Sequence, residues 1–144
     1  MAMNKEYEAV QISVYIDVGY TILKEHNDMS IIQLAFYMYA LNKTRFFEKE
    51  IYTARVKNNI VKKAISVISG DFEGFSNAMP YILKALHIMN QSQIVKIEKQ
   101  FIHLEGNHFK NVGCFKLSNF ENKAIMESKR WSDKRFIKEV LHNV

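Results

Sequence analysis

The chain has 144 residues, 48% of them hydrophobic and 24% charged, with a formal net charge of +5. That length suits one domain able to bury about two thirds of its unfolded surface without metal or disulfide support, and five glycines with one proline argue against both a disordered chain and a turn-rich all-β fold. No apolar run approaches the roughly 20 residues that cross a bilayer, the start MAMNKEYEAVQ lacks a signal-peptide core, and a single cysteine, Cys114, excludes an internal disulfide and suits a reducing, cytoplasmic compartment.

Met1 to Tyr7 reads as a frayed lead-in. From Glu8 to Glu25 the apolar positions Ile12, Ile16, Tyr20 and Leu23 fit a helix, although Val10, Ile12, Val14 and Ile16 also alternate as a strand would. Length favours helix; the β-branched content and Gly19 oppose it. His26-Asn27-Asp28 reads as a turn, and Asp28 or Ser30 is placed to cap the next helix. From Ile31 to Leu41 the sequence IIQLAFYMYAL is apolar nearly all round, as expected of a helix wrapped by other elements or covered by a partner.

Phe46 to Thr53 reads as irregular. A helix is expected over Ala54 to Ser69, with Val61, Ala64, Ile65 and Ile68 inward and Gly70 as its left-handed C-terminal residue. Pro80 then suits the first turn of the next helix, with Ser76 or Asn77 as cap and Ile82, Leu83, Leu86 and Met89 as its apolar face. Asn90 to Gln93 stops that helix. The runs Ile94 to Ile97 and Phe101 to Leu104, broken by Glu98-Lys99-Gln100, are the kind that pair as a hairpin.

A helix running into a hairpin is the local order of a winged-helix module. A loop from Gly106 to Gly113 comes after it. Ser118-Asn119-Phe120-Glu121 satisfies the capping-box pattern and opens a helix on which Phe120, Ala124 and Trp131 share a face. Ser132 or Asp133 caps a last helix striped by Phe136, Ile137, Val140 and Leu141. The expected fold is therefore mainly α with a short β-hairpin, an α+β chain of one domain over 1–144, with a winged-helix-like centre at about 54–105 and a C-terminal helix pair at 118–143.

The sequence carries no phosphate-cradling glycine loop, no nucleophile elbow and no zinc-protease motif. His103, Glu105, His108 and Cys114 crowd one hairpin and loop, but they lack the paired cysteines or helical histidine spacing of a zinc site. His103 reads as a strand residue facing solvent, and Cys114 as a small buried hydrophobe, since nothing near it in sequence lowers its pKa. Asp17, the acidic residue inside the first apolar segment, reads as lying on the polar side of its helix. Trp131 stands among Lys129, Arg130, Lys134 and Arg135, but Glu127, Asp133 and Glu139 interleave, so core packing of the indole is expected over base stacking. No catalytic, cofactor-binding or metal-binding residue is expected, and no cofactor.

Between Lys43 and Lys63, seven cations stand against two anions, the whole of the net excess. Lys43, Arg45, Arg55, Lys57, Lys62 and Lys63 are candidates for contact with DNA or an acidic partner; a solvated helix face reads equally well from the same residues.

Three stretches carry a resemblance. Leu34 to Arg45 is an apolar helix closing on Lys43-Thr44-Arg45; Pro80-Tyr81 leads into Leu83, Leu86 and the strands of Ile94 to Leu104; and Lys123-Ala124, Lys129-Arg130-Trp131, Phe136-Ile137 and Val140-Leu141 form a C-terminal pair. Together they resemble the small middle component of bacterial three-component ABC systems, the operons that include Lamassu-type anti-phage defence. The resemblance implies a non-enzymatic accessory or adaptor subunit in anti-phage or anti-plasmid defence. It would bind an SMC-like or Rad50-like ATPase and couple DNA sensing to an effector, usually a nuclease, with double-stranded DNA met through the complex and no membrane involved. Phe36, Tyr39, Trp131, Phe136, Val140 and Leu141 are then the candidates for subunit contact. The rival reading from the residues alone is a winged-helix DNA-binding transcription regulator.

Overall fold

The computed structural model describes residues 5–43, 65, 71–105 and 116–142. Among them are five helices and a small antiparallel sheet: α1 (Lys5–His26), β1 (Asp28–Ser30), α2 (Ile31–Lys43), α3 (Phe72–Gln91), β2 (Val95–Glu98), β3 (Phe101–Leu104), α4 (Asn119–Ser128) and α5 (Asp133–His142). The mainly helical α+β class is as expected. The helix expected over Ala54 to Ser69, the irregular Phe46 to Thr53 and the Gly106 to Gly113 loop lie outside the described residues, except that Ile65 is helical and fully buried.

The middle of the molecule is α2. Its residues from Gln33 to Leu41 are all buried, which explains why the sequence is apolar on every side. The helix is enclosed by this chain's own elements, and Ile32 alone among its large apolar side chains is well exposed. The long α1 crosses it at Gly19, where a Cβ would come within 3.1 Å of Met38 Cε. The glycine that weakens the helical pattern is therefore what lets two helices approach closely. The lead-in expected at Met1 to Tyr7 gives way to helix from Lys5 onward.

Two corrections concern α3. The helix does not begin at Pro80 with Ser76 or Asn77 as cap. It begins at Phe72, and Pro80 sits inside it. There the proline removes the bond to the Ser76 carbonyl, a loss that water can meet because both residues are exposed. Phe72, Phe75, Met79, Ile82, Leu86 and Met89, all packed in or against the core, repeat at intervals of three and four, and burial of that stripe outweighs the missing bond. Leu83, expected on the inner face, is 50% exposed because it stands one position past Ile82, off the stripe.

The hairpin forms as β2 and β3, with Ile94 just outside β2, and Lys99 at its turn takes a positive φ of 56°. Its partner strand β1 goes beyond the expected two-stranded hairpin. The sheet order is β1-β3-β2, with Asp28 opposite His103, Met29 opposite Ile102 and Ser30 opposite Phe101.

At the carboxyl end the capping box is formed: Glu121 N–H donates to Ser118 Oγ at 3.1 Å and Ser118 N–H to Glu121 Oε1 at 2.7 Å. Contrary to expectation, Trp131 is not on this helix. α4 stops at Ser128, and Trp131 N–H closes a turn on the Ser128 carbonyl at 2.9 Å. Ser132, one of two expected caps, accepts from Arg135 N–H at 3.1 Å and opens α5. In the same way Ser30 caps α2 through Gln33 N–H.

Candidate functional site

Three elements distant in sequence, α2, the first turn of α3, and α5, converge on one apolar groove. Phe36 is its floor: the ring packs edge-on against Phe75 at 5.9 Å and Phe136 at 5.2 Å between centroids. Phe72 stands beside Phe75 at 6.2 Å. The amphipathic pattern of α5 turns Phe136 and Val140 inward, while Ile137 and Leu141, one residue further round the helix, face out. Ile32, one turn before Phe36 on α2, completes the rim.

The groove has a volume of about 190 Å³, and every lining residue is apolar. Such walls hold no general acid, base or nucleophile. What they can do is desolvate an apolar side chain or helix face offered from outside, at roughly 25 cal/mol per Å² of apolar surface removed from water. Ile32, Ile137 and Leu141 are 41%, 37% and 58% exposed and stand together, which single exposed leucines or isoleucines scattered over a surface do not.

Of the six residues expected at a subunit contact, Phe36, Phe136 and Val140 form the buried floor and Leu141 the rim. Tyr39 and Trp131 are buried elsewhere and do not line the groove. Tyr39 Oη donates to the Asp71 carboxylate and lines a second cleft with Tyr7, Tyr15 and Tyr81. Burial raises the pKa of both Tyr15 and Tyr39; at Tyr15 a hydrogen bond with Asn42 acts the other way. The Trp131 indole is packed in the core as the sequence implies, and Arg135 lies 3.9 Å over its ring. Sequence reasoning misses Ile32, Phe72 and Phe75 as groove residues. The signal present is the three-and-four spacing of Phe72, Phe75 and Met79, hidden when Pro80 is taken for the first turn of the helix.

The cationic candidates Arg45, Arg55, Lys57, Lys62 and Lys63, and the side chain of Lys43, lie outside the described residues, as do His108, Cys114 and the Phe120 side chain. His103 is a half-exposed strand residue whose Nε2 is 4.0 Å from Glu105 Oε1. Asp17 differs from expectation: it is half-buried, and its Oδ1 is buried with no hydrogen-bond partner. Helix α1 is amphipathic only in part here, so the residue one turn before Thr21 falls at the margin of the core rather than in solvent. Among the described residues, no group of three His, Cys, Asp or Glu side chains could hold a metal ion, and no helix is long and apolar enough to cross a membrane. The chain matches no protein-family model, no curated protein and no solved structure.

Proposed function

We propose that this chain is a non-catalytic accessory subunit that acts by docking on a larger partner, the SMC-like ATPase of a three-component ABC system in anti-phage or anti-plasmid defence, and helps couple DNA sensing to an effector nuclease. The observation that carries the reading is the groove between α2, α3 and α5. Its walls are suited to receiving an apolar helix face and to no acid–base chemistry, and four of the six residues singled out from the apolar α2 sequence and the C-terminal stripe line it. Groove binding of a helix uses anchors three and four positions apart, and the exposed rim of Ile32, Ile137 and Leu141 would close over them. Co-expression with an SMC-like ATPase, taken from beside its gene where one is encoded there, is the test. Leu141→Asp and Ile137→Asp should abolish co-purification while the monomer keeps its melting temperature. Unchanged assembly in both variants refutes the reading.

A DNA-binding regulator is the second reading, and β1 is the observation in its favour. A two-stranded wing is marginal alone, and here a third strand from before α2 secures it. Against it, the helix entering the hairpin carries a single Lys or Arg, Lys84, which pairs with Glu8 of α1. Phosphate neutralisation, which dominates affinity for DNA, would then fall to Lys43, Arg45, Arg55, Lys57, Lys62 and Lys63. Binding of a defined operator duplex at physiological salt by the isolated chain, lost on charge reversal of Lys57, Lys62 and Lys63, would favour this reading over the first.

A further inference from the structure

A third recess, of about 350 Å³, shares no residue with the apolar groove. It lies between β1, the first turn of α2, the β2–β3 turn and the α4–α5 turn. Two buried side-chain oxygens on its walls have no hydrogen-bond partner, Gln33 Oε1 and Asp133 Oδ2. Gln33 is only 2% exposed. Its Nε2 donates to the Trp131 carbonyl at 3.2 Å, which fixes the amide, since the reversed orientation would set oxygen against oxygen. The orphan at Gln33 is therefore an acceptor, and so is the one at Asp133.

Buried acceptors are met by donors in nearly all folded proteins. Lys129, the one cation among the described lining residues, and Arg135, beside the lining Trp131, are engaged elsewhere. Lys129 Nζ donates to the His26 carbonyl at 2.7 Å and stands 3.5 Å from Asp28 Oδ1, while the Arg135 guanidinium covers the Trp131 ring. Helices α2 and α5 begin at this wall, and a helix N-terminus alone favours an anion. Here, however, Ser30 and Ser132 already take one leading N–H of each, and Asp133 places its own charge at the start of α5. The unmet capacity is for donors, beside the apolar surfaces of Met29, Trp131 and the half-exposed Phe101. A guanidinium group fits that combination: flat, cationic, with five N–H donors in a fixed fork, and weakly enough hydrated to lie against an aromatic ring.

We propose that this recess binds a guanidinium group, with Gln33 Oε1 and Asp133 Oδ2 as its acceptors. The group could come from a free small molecule or from an arginine side chain of a peptide, and the test separates the two. Calorimetric titration of the full chain with N-acetyl-L-arginine amide should give saturable binding, accompanied by a change in the fluorescence of Trp131, the one tryptophan. The uncharged N-acetyl-L-citrulline amide and the ammonium analogue N-acetyl-L-lysine amide should bind at least about tenfold more weakly. Asp133→Asn, which keeps the side-chain shape, and Gln33→Met should each weaken arginine-amide binding by about tenfold. Agmatine binding as tightly as the arginine amide assigns the site to a small molecule, and tighter binding of the amide assigns it to a peptide; both support the proposal. Absence of saturable binding below about 10 mM, equal affinity for the citrulline probe, or unchanged affinity in a folded Asp133→Asn variant overturns it. A crystal structure grown with the arginine amide in which water alone meets Gln33 Oε1 and Asp133 Oδ2 also overturns it.

Discussion

Phe36 of α2 and Phe136 of α5 meet edge to face, their ring centroids 5.2 Å apart and their planes at 85°. Both rings are almost wholly buried, and the pair fastens the carboxyl-terminal helix to the centre of the molecule while forming the groove floor. Phe136→Ala should therefore destabilise the fold by about 3–5 kcal/mol, whereas Leu141→Asp on the rim should stay within about 0.5 kcal/mol of the parent. Urea unfolding of the two variants separates the residue that builds the groove from the residue that serves it.

Gly74→Ala should destabilise the protein even though alanine is the better helix former by about 1 kcal/mol. A Cβ at position 74 would collide with Tyr39 Oη and lie 2.7 Å from Asp71 Oδ1. It would break the Tyr39–Asp71 hydrogen bond, whose loss costs about 1.5–3 kcal/mol when the acceptor is charged. The net change should be a loss of about 1 kcal/mol. In Tyr39→Phe, which lacks the colliding oxygen, the same glycine replacement should cost less, and a double-mutant cycle reads the difference.

Ser118→Ala should cost about 1 kcal/mol, the usual penalty for removing a serine cap. The change should appear as a lower urea midpoint with an unchanged slope. Glu121 completes the box from a fully buried position, so Glu121→Ala should cost more than Ser118→Ala.

Acid should weaken the fold through His26. Burial lowers the pKa of its imidazole below the ordinary value of 6.5; the hydrogen bond with Asn122 opposes that, the Lys129 ammonium adds to it and Glu25 subtracts. The Nε2 to Asn122 Oδ1 distance is 2.8 Å. Because the unfolded chain takes up the proton first, stability from this group is intact above pH 6.5 and is lost as pH falls below it through the folded value. Thermal melts from pH 7.5 down to 5 should show this decline, and His26→Gln should flatten that part of it.

Much of this architecture is legible from local chemistry. The capping box at Ser118, the serine caps at Ser30 and Ser132, the all-round burial of α2 and the pairing of residues near Val95 with those near Leu104 all arise from side chains a few positions apart. The misses have a common origin. Asp28-Met29-Ser30 has no strand propensity of its own and becomes β1 only because β3 lies beside it. Pro80 has the intrinsic habit of a first-turn residue, which the apolar stripe from Phe72 to Met89 overrides. The groove is half legible for the same reason: the stripe on α5 is local, but its meeting with Ile32 and Phe72 is tertiary. Nothing in the sequence around Gln33 or Asp133 hints that both oxygens end up buried and unmet.

β1 joins a strand roughly 75 residues further along the chain, so closing that loop must precede any reward from the pairing. The β2–β3 hairpin can close on itself within microseconds, but Met29 can settle against Ile102 only after the intervening segments have condensed. The pairing of β1 with β3 is thus expected late in folding. Weakening Met29 should hasten the protein's coming apart while scarcely slowing its assembly.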